Sequence, residues 1–361
     1  MTLQLLLLGD APVARLVERA RLAEANGYST VWVADERFYR EVYSCLGQLA
    51  AHTTEVLLGP CVTDPFARHP ALTAMAIATL DEISSGRAIL GIGAGISGFT
   101  ELGIARRKPA RAIREAIEAI RALLRGETVD LHGDVIGFNH GRLSFAPPRP
   151  DIPVYVASNG PLGQRVAAEI ADGVIMEACA SAAEVRALRT AVESAAREAG
   201  RDPHEIRIIA RLNTCVAAEG RVARDAVRPT VARYLGAGRL RSRTAAAQGL
   251  VLPAEALATV AGAAYAAGVT PYLALLPLIT DRHVDALTLA GTVEEVARHA
   301  ISLLGAGADS IIARPFAREG GTIEETIVTL GSEVWPRVVA GGARMVSRTP
   351  RRGSTGWSPI R

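Results

Sequence analysis

Two adjacent acids and a base, Asp35-Glu36-Arg37, close the apolar run Thr30-Val31-Trp32-Val33-Ala34. Such a trio can give up a proton, take one and clamp an anionic ligand, or it can form an ordinary surface ion pair. Other polar groups stand in the same place, each at the end of a short apolar run. Glu177 follows Val174-Ile175-Met176, Arg211 and Asn213 follow Ile206–Ile209, and Arg314 follows Ile311-Ile312-Ala313. Each can hold an anionic ligand or pair with a neighbouring acid. The run Gly59-Pro60-Cys61-Val62-Thr63-Asp64-Pro65 is dense in turn formers. It reads as a backbone bent close to a ligand, or as a plain turn. Cys61 has no base identifiable beside it, so a small buried thiol is favoured over a nucleophile.

Two further segments suit a flat, phosphorylated ligand. Leu90-Gly91-Ile92-Gly93-Ala94-Gly95 carries three alternating glycines. Without side chains, that backbone can be approached closely, and a ring system fits such a surface. In Ser158-Asn159-Gly160-Pro161, Ser158 or Asn159 can cap a helix whose first turn holds Pro161. The N–H groups of the same turn can instead bind phosphate.

Other chemistries are disfavoured by what is missing. Lys108 is the single lysine among 40 basic residues, and it lies in the charged run Arg106-Arg107-Lys108. Schiff-base chemistry needs a buried amine, which arginine cannot supply. No HExxH or HxxxH and no cysteine-histidine cluster occurs, so no metal is expected. No GxSxG argues for a serine hydrolase. The four cysteines, Cys45, Cys61, Cys179 and Cys215, are widely spaced, which suits a reducing cytoplasm. A net charge of +3 with interspersed signs gives no stripe for nucleic acid.

What must position these groups is a repeated unit. An alanine-rich amphipathic helix ends at a glycine and leads into a short β-branched run: Val13–Ala25 to Thr30–Val33, Ala71–Ile83 to Ala88–Leu90, Val166–Ala171 to Val174–Met176, and Val293–Leu304 to Ser310–Ala313. Strands apolar without alternation are buried on both faces, as in a parallel sheet. Adding Leu3–Leu8, Val56–Leu58, Val154–Val156 and Ile206–Ile209 makes eight strands and predicts an α/β fold, the (β/α)8 TIM barrel with insertions. An open doubly wound sheet is the alternative, but Gly9-Asp10-Ala11-Pro12 replaces its glycine-rich phosphate loop. The chain divides into one barrel domain over 1–340 and a disordered basic tail over 341–361. A hairpin insertion is expected about 129–150, and a mostly helical insertion about 236–290 over the mouth. Met1–Leu8 reads as a first strand rather than a leader. The uncharged stretch Ala256–Thr280, broken by Gly262, Gly268, Pro271 and Pro277, reads as a buried helix, a turn and a second short element rather than a membrane span.

Taken together, Gly27–Asp35, Arg40–Ser44, Leu58–Pro70 and Ala78–Gly95 resemble the bacterial-luciferase-like family of flavin-dependent oxidoreductases. The likeness is strongest to its branch using the deazaflavin coenzyme F420, of the methylenetetrahydromethanopterin reductase type. It covers roughly 1–235 and 286–340. It implies a TIM barrel, a non-prolyl cis peptide at Cys61–Val62 against the deazaflavin ring with Thr63 beside it, and Gly93, Ala94 and Gly95 lining that ring. Ser158, Asn159 and Gly160 would take the cofactor phosphate. Asp35 and Glu36 would face the reacting edge, with Glu177 also at the cofactor. In the sugar-phosphate dehydrogenase branch a histidine follows the strand-end aspartate and an acid follows the glycines. Here Glu36 and Ile96 stand there, and Ile96 cannot transfer a proton. The expectation is an F420-dependent oxidoreductase moving a hydride to or from a small organic substrate, most simply as a reductase, and forming a homodimer. The alternatives are an FMN-dependent monooxygenase and a non-catalytic flavin-binding protein.

Overall fold

The computed structural model of the chain describes residues 1–95, 98–178, 180–237, 245–264 and 267–348. The strands, in chain order, are β1 (Thr2–Leu7), β2 (Thr30–Val33), β3 (Leu57–Pro60), β4 (Leu90–Gly93), β5 (Val129–His132), β6 (Gly137–Gly141), β7 (Val154–Ala157), β8 (Gly173–Glu177), β9 (Arg207–Val216), β10 (Thr288–Gly291) and β11 (Ser310–Pro315). Eight of them pair in parallel in the order β3-β2-β1-β11-β9-β8-β7-β4. The ends of this ribbon meet. Ile89 N donates to Leu58 O at 3.0 Å, Thr63 N to Gly91 O at 3.0 Å, and Gly93 N to Thr63 O at 2.9 Å. The sheet is therefore a closed (β/α)8 barrel, as the repeat predicts.

The side-chain period of two explains why the strands lack alternation. Leu6, Trp32, Ile89, Ile175, Ile209 and Ile312 point inward and pack as one barrel layer. Their neighbours Leu5, Val31, Leu90, Val174, Ile208 and Ile311 pack outward with the helices. Trp32 satisfies its indole N–H inside by donating to Gln4 Oε1 at 2.7 Å. Two residues further along, the inward face carries Leu8, Ala34, Ala157, Glu177, Arg211 and Arg314. The apolar layer thus becomes a polar mouth within one step.

The outer ring is α1 (Val13–Ala25), α2 (Val42–His52), α3 (Pro70–Ile83), α4 (Pro109–Leu124), α5 (Pro161–Ile170), α6 (Ala182–Glu198) and α7 (Gly220–Gly236), followed by α8 (Ala254–Ala258), α9 (Asp281–Leu287), α10 (Val293–Gly305), α11 (Ile323–Thr329) and α12 (Trp335–Arg348). Proline starts α3, α4 and α5, where its missing N–H costs nothing. Thr292 and Glu295 form a capping box at α10. Gly27 and Gly86 turn the chain after α1 and α3 at φ of 77° and 84°.

Between α4 and β7, β5 and β6 pair antiparallel as a separate two-stranded unit. The segment after α7 holds α8, a 3-10 helix over Thr270–Leu278, α9 and β10. Tyr234, Val260, Tyr272 and Leu275 build a second small core there with Val227 and Val231. Only Tyr272 and Leu275 of the 3-10 helix are buried, so the described parts of Ala256–Thr280 form short, half-exposed pieces rather than a buried helix. Among the described residues no helix is long and apolar enough to cross a membrane. β10 pairs with the upper half of the ten-residue β9, a ninth strand that the sequence pattern does not reveal. At the other end, α12 continues to Arg348, so the irregular tail expected from Gly341 does not begin there; residues 349–361 lie outside the described ones.

Candidate active site

The C-terminal mouth of the barrel opens into a cavity of about 740 Å³. Its floor is apolar and includes Leu6, Leu8, Ala34, Ala157 and Ile175. Ala34 and Ala157 keep the floor low. The layer beneath is filled by Trp32 and Tyr155, whose rings meet edge to face with centroids 6.2 Å apart. Asp35, Glu36, Cys61, Val62, Gly95 and Glu177, all singled out by the sequence, line the cavity. Thr63, Gly93, Ala94, Ser158, Asn159 and Gly160 lie around it without lining it.

Asp35 and Glu36 stand in different fields. The Asp35 carboxylate has Arg37 Nη1 at 3.7 Å and Arg68 Nε at 3.8 Å. Arg37 is anchored in turn by an ion pair with Asp64, whose side chain is wholly buried. Asp64 also accepts from Phe66 N and Ala67 N at 2.8 Å each. Arg68 lies over the Tyr43 ring at 4.9 Å and pairs with Glu41 at 2.7 Å. Asp35 is thus one node of a charged girdle. Glu36 is half-buried and faces the cavity, with no ion pair or side-chain hydrogen bond among the described residues. Of the two acids it is the one free to exchange a proton with a ligand.

The peptide between Cys61 and Val62 is cis. Cys61 N donates to Val33 O at 2.8 Å, fixing the turn to the end of β2. Burial pushes the Cys61 thiol up to about 12, which disfavours a thiolate nucleophile near neutral pH. The Val62 side chain also accounts for the glycines of β4. A Cβ on Gly93 would sit 2.9 Å from Val62 Cγ2, and one on Gly91 would sit 2.4 Å from Pro60 O. The close approach that these glycines permit is therefore made by the protein's own β3 turn. Gly95, at φ of 60°, lines the cavity and packs against Phe99. Ile96 lies outside the described residues.

Neither Ser158 nor Asn159 caps α5. The residue before the helix is Gly160, with no side-chain cap bond. Ser158 Oγ closes a local turn with Gly160 N and O, both at 3.1 Å. Asn159 ties β7 to β8: its Nδ2 donates to Glu177 O at 2.7 Å, and its Oδ1 accepts from Glu177 N at 2.9 Å. That clamp fixes where Glu177 emerges. Glu177 then pairs with Arg211 at 2.6 Å. Burial opposes the charged form of Arg211, but Tyr234 and Glu177 beside it outweigh that and hold the guanidinium above its usual range. Arg211 Nη1 and Asn213 Nδ2 both reach the Tyr234 hydroxyl, at 3.2 and 2.9 Å.

Arg233, Tyr234 and Tyr272 complete the wall from above. Sequence reading misses all three, because they come from the end of α7 and the insertion, where no strand end marks them. Among the described residues no group of three or more His, Cys, Asp or Glu could hold a metal ion.

Comparison with known proteins agrees with this architecture. The family model for luciferase-like monooxygenases matches residues 2–310. The 5,10-methylenetetrahydromethanopterin reductase of Methanolobus tindarius is 33% identical over 329 residues, covering 90% of this chain and 96% of that protein. The coenzyme F420-dependent tetrahydromethanopterin reductase of Methanopyrus kandleri superposes with a TM-score of 0.82 at 27% identity, covering 93% and 99% of the two chains. An F420-dependent secondary alcohol dehydrogenase bound to an F420-acetone adduct shares the fold, with a TM-score of 0.74 at 20% identity over 93% and 98%. The matched span contains seven of the eight barrel strands and the first residue of β11, together with every mouth residue named above except Arg314, and the chain belongs to the luciferase-like monooxygenase family.

Proposed function

We propose that this chain is a coenzyme F420-dependent oxidoreductase that transfers a hydride between the deazaflavin and a small organic substrate, working as a reductase. The observation that carries the reading is the full-length likeness to reductases of this type, in sequence and in fold. The mouth suits the cofactor on its own terms. A low apolar floor, a cavity of about 740 Å³ and an α5 start without a side-chain cap suit a flat ring with a phosphorylated tail. Cys61, Val62, Thr63 and the Gly93–Gly95 loop would back the ring. Ser158, Asn159 and Gly160 would shape the turn that receives the phosphate.

When bound, the deazaflavin supplies a two-electron hydride donor or acceptor. This chain's own residues do the rest. Glu36 gives or takes the proton that accompanies the hydride, and its lack of a partner keeps it available. Asp35, held by Arg37 and Arg68, keeps that loop in register and the local charge fixed. The floor and the insertion residues Leu257, Val260 and Tyr272 exclude water, so that donor and acceptor stay in contact. We also read the chain as cytoplasmic and as a homodimer; exposed Leu72, Met75 and Ile83 on α3 give an apolar face for such contact. Fluorescence titration with F420 and with FMN tests the cofactor. Binding of F420 in preference to FMN, with oxidation of the reduced form by a substrate pool, is expected. Tight FMN binding with no response to F420 overturns the reading.

A further inference from the structure

Arg211 and Arg314 lie one strand apart on the inward face of the mouth, and both line the cavity. Only one of them is answered by an acid. Glu177 pairs with Arg211 at 2.6 Å. Arg314 has no ion pair and no hydrogen bond to any described residue. Its guanidinium lies over the Phe316 ring, 4.8 Å from the centroid. That contact uses the face of the group and leaves its N–H donors unspent. The nearest acids, Asp10 and Glu177, act on it only through space, while Arg211 repels it. A guanidinium cannot shed its proton to escape this position. At the ends of β8, β9 and β11 the chain thus sets two positive charges against one negative, and the planar fork of donors on Arg314 is aimed at no partner.

We infer that the substrate carries an anionic group, a carboxylate or a phosphate, and that Arg314 receives it. The fork geometry matches both anions, which can accept two parallel N–H bonds. An incoming anion settles the charge that the protein leaves open, and a neutral analogue would not. Glu36 lines the same cavity, beyond the end of β2 and two strands from Arg314 on β11, so a small substrate held by its anion at Arg314 stays within reach of the proton-exchanging acid. The reaction at that end rests on the deazaflavin reading above, while the anion site rests on the charge arrangement alone.

The test is calorimetric titration of the full chain, with and without F420, using three probes: benzoate, neutral benzamide and inorganic phosphate. Benzoate or phosphate is expected to bind at least about ten-fold more tightly than benzamide. The two anion arms separate a carboxylate site from a phosphate site. Arg314→Gln should remove the preference, and Arg314→Lys should restore part of it by returning the charge without the fork. F420 affinity should stay within about two-fold in both variants. Arg314→Gln should also leave the melting temperature of the ligand-free chain unchanged or slightly raised, because it deletes a half-buried charge that no acid answers. Equal binding of benzoate and benzamide overturns the inference, as does a preference that survives Arg314→Gln. Loss of F420 binding in step with benzoate overturns it too, since the guanidinium then serves the cofactor. If the chain binds no F420 at all, the proposed activity falls, and the comparison on the unloaded chain still decides this question.

Discussion

Glu177 and Arg211 sit directly opposite each other on β8 and β9, and their side chains meet at 2.6 Å inside the barrel mouth. The pair is in register, so no loop movement is needed to make it. Arg211 is only 10% exposed and Glu177 31%. Removing the acid leaves a nearly buried cation that water reaches poorly. Glu177→Leu is expected to cost about 1–3 kcal/mol. That is less than for a fully buried pair, because Glu177 is partly solvated. The double variant Glu177→Leu/Arg211→Met should recover most of the loss. Urea midpoints at constant slope measure both.

Glu36→Gln keeps the size of the side chain and removes the titrating proton. If Glu36 exchanges the proton, turnover should fall about 10²–10⁴-fold. F420 affinity should hardly change, because the Glu36 side chain makes no hydrogen bond or ion pair with a described residue that the change would break. Asp35→Asn should behave differently. It weakens contacts to Arg37 and Arg68, so a modest stability loss is expected with a smaller drop in rate. Steady-state rates beside fluorescence titrations separate the two patterns.

The eight strands and the strand-end residues were legible in the sequence for one reason. A parallel strand buried on both faces is a short unbroken apolar run, and the next inward position falls at a countable place. Counting on from Ile175, Ile209 and Ile312 reaches Glu177, Arg211 and Arg314. Tyr234 and Tyr272 were not countable, because they come from the end of α7 and from an insertion with no fixed period, where no strand end marks them. β10 was hidden because Thr288-Leu289-Ala290-Gly291 follows α9 without a turn signal. The glycines at the other end misled in the opposite sense. Glycine argues against helix, yet α12 uses Gly341 as contact surface. A Cβ there would stand 2.4 Å from Ile301 Cδ1 on α10. The glycines of β4 announced a close approach, but not that Val62 of the same chain makes it.

Gly59→Ala separates a clash from a backbone preference. A Cβ on Gly59 would lie 1.8 Å from Ile89 O, at the seam where β3 meets β4. Backbone on both sides of the seam leaves nothing flexible to yield. The variant should lose about 3 kcal/mol or more, or fail to fold. Gly27→Ala is the control. Gly27 has φ of 77° and open space around its missing Cβ, so only the left-handed conformation is penalised, by about 1–2 kcal/mol. Equal losses at the two positions would contradict closure of the barrel through Gly59.

Cys61 gives a pH-dependent expectation. Burial raises its thiol from an ordinary 9.0 to about 12. At pH 8 roughly one molecule in 10⁴ then carries the thiolate, against about one in ten for an unperturbed thiol. Iodoacetamide should therefore leave Cys61 almost unmodified at pH 8 in the folded chain, and mass mapping of the alkylated peptide reads this directly. The same shift bears on stability. The folded chain keeps its thiol proton where the unfolded chain has lost it. The stabilisation is complete below about pH 9 and is lost progressively as pH rises toward about 12. Cys61→Ala should flatten that part of the pH–stability curve while leaving the neutral-pH plateau in place. Cys61 is half-buried at the cavity wall, so rapid labelling at pH 8 would mean that its surroundings do not hold the thiol protonated as this expectation requires.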